Sequence, residues 1–75
     1  MSDTEYIKAW NLQVGDAIHI PHEKYTEVLH VIGLYRHTQE FQGRSSAVTV
    51  VTSRTYSPDW HVFKSDRYLK IAKRQ

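Results

Sequence analysis

The 75-residue chain contains no cysteine, so neither a disulfide nor a thiolate metal ligand can staple it. It has two prolines and three glycines, and Gly15, Gly33 and Gly43 share no spacing that would cradle a phosphate. No apolar run approaches the ~20 residues of a membrane helix, and Met1–Glu5 is polar and acidic where a signal peptide would be apolar. A cytoplasmic protein is therefore expected, folded as one small domain over residues 1–75. None of its serines sits in a Gly-x-Ser-x-Gly elbow, and no pair of carboxylates forms a motif. His19, His22 and Glu23 lie close in sequence, but the second histidine of a His-Glu-x-x-His zinc helix is missing. A chain of this size buries only about 60–65% of its unfolded surface, too thin a core for an internal active site. These absences point to a non-enzymatic protein with no cofactor and no metal.

What the chain does contain is a series of short apolar runs closed by turn residues. Tyr6–Trp10 reads as a first strand, with Ile7 and Ala9 on one face. Asn11–Asp16 turns through Gly15-Asp16, Ala17–Ile20 forms a second strand, and Pro21 ends it. The run from His22 to Tyr35 carries helical spacing at Tyr25, Val28, Leu29, Ile32 and Tyr35. Its β-branched content and central glycine favour instead a long bent strand from about Thr26 to His37, with Gly33 at a bulge. Thr38–Ser46 is a polar loop, Ala47–Thr52 a strand free of breakers, and Ser57-Pro58-Asp59 a turn. Trp60–Phe63 and Tyr68–Ala72 complete the set, joined by a short or 3₁₀ turn at Lys64–Arg67. Residues 1–5 and 73–75 read as flexible tails.

The progression from Leu12-x-Val14-Gly15-Asp16 through a bent strand to Phe63-x-x-Asp66-x-x-Leu69-x-Ile71 resembles the architecture of SH3-like small barrels. The expected fold is all-β: five or six antiparallel strands in a small SH3-like β-barrel or a strongly bent sheet. The resemblance is architectural and brings no family's functional residues with it.

Charge is divided along the chain. Residues 1–27 carry Asp3, Glu5, Asp16, Glu23 and Glu27 against Lys8 and Lys24, a balance of −3. Residues 28–75 carry Arg36, Arg44, Arg54, Lys64, Arg67, Lys70, Lys73 and Arg74 against Glu40, Asp59 and Asp66, a balance of +5. In the loops of this basic part, Arg36, Arg44, Arg54, Lys64 and Arg67 interleave with Tyr35, Tyr56 and Trp60. Arginine and lysine neutralise phosphates while aromatic faces stack on unpaired bases, so these eight residues are the candidate contacts to nucleic acid, DNA or RNA. The same aromatics support an alternative, a protein–protein interaction module that regulates or inhibits a larger bacterial or phage protein. The chain would then act as a monomer, or as a homodimer if Ala47–Thr52 lay at a sheet edge.

Overall fold

The computed structural model describes residues 3–53 and 58–74. Six strands form in sequence order: β1 (Thr4–Lys8), β2 (Ala17–Pro21), β3 (Thr26–His37), β4 (Ala47–Thr52), β5 (Asp59–Lys64) and β6 (Tyr68–Ala72). They make one antiparallel sheet in the order β1-β6-β2-β3-β4-β5, which does not close, leaving β1 and β5 as its edges. The all-β, strongly bent sheet expected from the sequence is what forms. The helical alternative for His22–Tyr35 is excluded, since Thr26–His37 is a continuous strand.

The bend sits where the glycine marked it. β3 pairs with β2 up to the Ala17–His30 register, then with β4 from Val31 onward, and the register shifts between Val31 and Gly33. The Val31 amide donates to the Asp16 carbonyl and its own carbonyl accepts from Gly15, so the Gly15-Asp16 turn straps the corner of the bend. The extra residue also reverses the alternation of side chains. Before it, Leu29 and Val31 face the core; beyond it, Leu34 packs on the core and Tyr35 is exposed. Ala9, Leu12, Ile18, Leu29, Val31, Val48, Val50, Phe63, Leu69 and Ile71 make up this core. Each large apolar side chain in it contributes roughly 1.5–3 kcal/mol by burial, an upper bound because unfolded chains are already partly compact.

Three expectations need correction. The first strand ends at Lys8, and Ala9–Asn11 is a 3₁₀ turn, here η1, that carries Trp10 out of the strand. η1 is held from outside the strand: Ala9 N–H donates to the Arg67 carbonyl and Trp10 N–H to the Ser65 carbonyl. Of the two forms expected at Lys64–Arg67 it is the short turn that occurs, closed by Arg67 N–H to the Lys64 carbonyl at 3.1 Å. Ala47–Thr52 lies between β3 and β5, so it offers no edge to a second copy. The described residues of the expected tails are ordered, because β1 begins at Thr4, Lys73 N–H donates to the Asp3 carbonyl, and Arg74 is anchored.

Arg74 places Nε 2.9 Å from Asp16 Oδ1 and Nη2 2.8 Å from Asp16 Oδ2, and Nη2 also donates to the Asn11 carbonyl. Asp16 is 6% exposed and accepts a further bond from Gln13 N–H at 2.8 Å. Burial pushes its carboxyl up, but the Arg74 hydrogen bonds, the Gln13 amide and the Arg74 charge outweigh this and hold it below the ordinary value. The same contacts raise the Arg74 guanidinium. Gly15, just before this carboxylate, adopts φ +102°, a conformation hostile to L side chains. Gly15→Ala is expected to cost about 1–2 kcal/mol, read as a lowered denaturation midpoint with an unchanged m-value.

Candidate nucleic-acid interface

The structure separates the residues that the sequence grouped. Arg36 lies beyond the bulge on the core side of β3, opposite Val48. Its Nε donates to the Trp10 carbonyl at 2.7 Å and its Nη2 to the Leu12 carbonyl at 2.6 Å, with the guanidinium 6.0 Å from the Trp10 ring. It is a clamp between β3 and η1. Arg44 sits in the 38–46 loop, bridged to Phe41 by paired backbone hydrogen bonds. Lys64 is exposed at the end of β5, opposite Ala47. Arg67 packs its guanidinium 5.4 Å from the Phe63 ring. Arg54 and Tyr56 lie outside the described residues.

Tyr35 and Trp60, 67% and 68% exposed, share the outer face of β3–β5 with Val51, Thr49 and Val62. Tyr35 continues into a short aromatic row: its ring lies 5.0 Å from His37, which stacks on Phe41 at 3.8 Å and bonds Thr49 Oγ1 at 2.7 Å. Among the described residues, Lys64 is the one lysine or arginine that the registers place on this strand face.

A denser combination of cations and aromatics lies on β1 and β6. Their register sets Tyr6 opposite Lys70 and Lys8 opposite Tyr68, all on the face away from Ile7, Leu69 and Ile71. Tyr6 is 66% and Tyr68 62% exposed, and Lys8 Nζ stands 5.9 Å from the Tyr68 ring. The result is a checkerboard of two rings and two ammonium groups across two strands, with cross-strand neighbours close enough to interact. The signal was present in the period-2 alternation of Tyr6-x-Lys8 and Tyr68-x-Lys70. It needed the pairing of the first strand with the last to become a surface.

This face leads into a cleft. β2 and β6 meet at a single register pair, Ile18–Ile71, and then diverge. Ile20, Phe63 and Leu69 give the opening its apolar lining, with Tyr6, His19, Arg67, Tyr68 and Lys70 around it. Its volume is about 250 Å³ and none of its lining residues is acidic.

The histidines do not assemble. His22 stacks on Tyr25 at 4.6 Å and pairs with Glu27 at 3.1 Å, away from the His19–His22–Glu23 grouping weighed in the sequence. Among the described residues no three His, Asp or Glu side chains form a metal-holding group. No described helix is long and apolar enough to cross a membrane. Comparison with protein-family models, curated proteins and solved structures finds no match for this chain.

Because Arg36 is spent on two carbonyls, Arg36→Ala is expected to destabilise the protein by about 1 kcal/mol, the usual worth of a partly exposed hydrogen-bonded contact. It should leave the salt dependence of any oligonucleotide binding unchanged. Thermal melts and a salt titration of the same variant check the two halves of that expectation.

Proposed function

We propose that the chain is a small, non-enzymatic module that binds single-stranded nucleic acid through the β1–β6 face and the cleft beside it. The observation that carries this reading is the Tyr6–Lys70 and Lys8–Tyr68 register, which alternates rings and cations at cross-strand distance. Flat aromatic faces stack on any unpaired base, and the interleaved cations meet the backbone between bases. Arg67, at the mouth of the cleft, adds a third cation. An SH3-like reading of the bent sheet agrees with this use, because small barrels commonly present binding residues on one strand face and its adjoining loops. The proposed site keeps Arg67 from the sequence-derived set and shifts the rest from the loops to strand faces. The direct test is fluorescence anisotropy of a mixed-sequence single-stranded oligonucleotide at low salt, with Tyr68→Ala expected to weaken binding by about 1–3 kcal/mol.

A second reading has its own observation. Trp60, Tyr35, Val51 and Val62 form an apolar and aromatic face with little charge, the composition of a protein-contact hot spot. On that reading a partner protein docks there, and Trp60→Ala abolishes capture of the partner while leaving oligonucleotide affinity within twofold of wild type. Loss of oligonucleotide binding in Trp60→Ala would place the nucleic acid on this face instead.

A further inference from the structure

We infer that the cleft between β2 and β6 receives a single unstacked nucleobase whose phosphate is held by Lys70 and Arg67, an inference that rests on the nucleic-acid reading above. The opening is a property of the backbone. If the Ile18–Ile71 register continued, Ile20 would face Leu69 and Pro21 would face Tyr68. Pro21 has no N–H, so it cannot donate to a β6 carbonyl there, and one of the two hydrogen bonds of that pair cannot form. The β1 ladder settles which way β6 turns its polar groups. Lys73 N–H donates to the Asp3 carbonyl of the β1 side, and the alternation of an antiparallel pair then turns the Tyr68 N–H and C=O away from β1, to the side of the cleft. A backbone donor and acceptor at that point match the donor–acceptor edge of a base.

Size and charge select the occupant. A volume of about 250 Å³ is below the roughly 300–1,000 Å³ of sites that take drug-sized ligands, and suits one ring system. Ile20, Phe63 and Leu69 supply apolar contact for the ring, and Tyr68 offers a stacking face at the rim. Lys70 and Arg67 are cations with no carboxylate among the other lining residues, so the ligand is anionic. A nucleotide combines a flat ring with a phosphate in this way, whereas an acidic peptide side chain lacks the ring and a neutral aromatic lacks the charge.

The experiment is an amide-resonance titration of the full chain with AMP, CMP, adenosine and inorganic phosphate, run beside anisotropy with a single-stranded oligonucleotide. AMP or CMP is expected to shift resonances of residues 19–21 and 68–70 at millimolar concentration. Adenosine should act more weakly and inorganic phosphate should not reproduce the pattern. Lys70→Glu and Tyr68→Ala, both at the surface and checked for folding by their spectra, should each weaken the monophosphate at least tenfold. If the oligonucleotide binds but neither monophosphate perturbs the cleft, or phosphate alone gives the same shifts, the base pocket is wrong and the broader reading stands. If neither oligonucleotide nor monophosphate binds, both are overturned.

Discussion

Replacing Arg74 by alanine is expected to lower the stability of this protein by about 2 kcal/mol, although the residue is the penultimate one in the chain. Removing one partner of a fully buried ion pair costs roughly 3–5 kcal/mol, because the other charge is left without compensation. Asp16 is such a charge: its side chain is 4% exposed. The Arg74 side chain is 35% exposed, so water screens its half of the pair and reduces the figure. In a domain of this size about 2 kcal/mol corresponds to a fall in Tm of roughly 8–16 °C. Deleting residues 74 and 75 should have the same effect as Arg74→Ala, since both remove the clamp on Asp16 and on the Asn11 carbonyl. A change below about 2 °C in either variant would show that the pair contributes little.

The same pair sets an acid limb. The Asp16 carboxyl titrates lower in the folded protein than in the unfolded chain, so the unfolded state binds the proton first as pH falls. The stabilisation is therefore present in full above the unfolded value of about 3.9 and is lost as pH drops through the folded value. Asp16→Asn removes this group from the titration. The difference in stability between wild type and Asp16→Asn should be constant from pH 7 to about 5 and should shrink progressively below pH 4. Urea melts at a series of pH values provide that curve; a difference that stayed flat down to pH 2 would detach the acid limb from Asp16.

Reversing the two lysines of the checkerboard, Lys8→Glu with Lys70→Glu, is expected to reduce single-strand affinity at least a hundredfold at low salt. Three cations on the proposed surface, Lys8, Arg67 and Lys70, give a slope of log affinity against log salt of about −2 at roughly −0.7 per phosphate. Raising salt from 50 to 200 mM should then weaken the wild type by about 20-fold. The double variant retains one cation of three and adds two carboxylates, so its slope should be close to zero. Tyr68→Ala should reduce affinity without altering the slope, because stacking releases no counterions.

Strand positions were legible because they depend on local composition: Ala47–Thr52 and Tyr68–Ala72 form with the bounds their β-branched and alternating residues suggested. The bend was legible for a similar reason, since one glycine inside a long apolar run marks a bulge. The consequence of that bulge was not. One inserted residue reverses the pleat, so Tyr35 comes out to solvent and Arg36 is carried to the Trp10 and Leu12 carbonyls, and neither outcome is encoded near those residues. Arg74 was misread for a similar reason: its partner Asp16 is 58 residues away, and a terminal Lys-Arg resembles a solvated tail until the sheet brings β6 beside the 15–16 turn. The candidate site has the same origin. Tyr6-x-Lys8 and Tyr68-x-Lys70 are each ordinary exposed positions, and only the β1–β6 register makes them one surface.

The most direct test of the account is a salt titration of one single-stranded oligonucleotide against three proteins. These are the wild type, Lys8→Glu with Lys70→Glu, and Arg44→Glu with Lys64→Glu. The last pair carries basic positions outside β1 and β6, in the 38–46 loop and at the end of β5. The account predicts binding by the wild type with a slope near −2, loss of binding and slope in the first variant, and only a small change in the second. Absence of wild-type binding at low salt, or loss confined to the Arg44 and Lys64 variant, would contradict it.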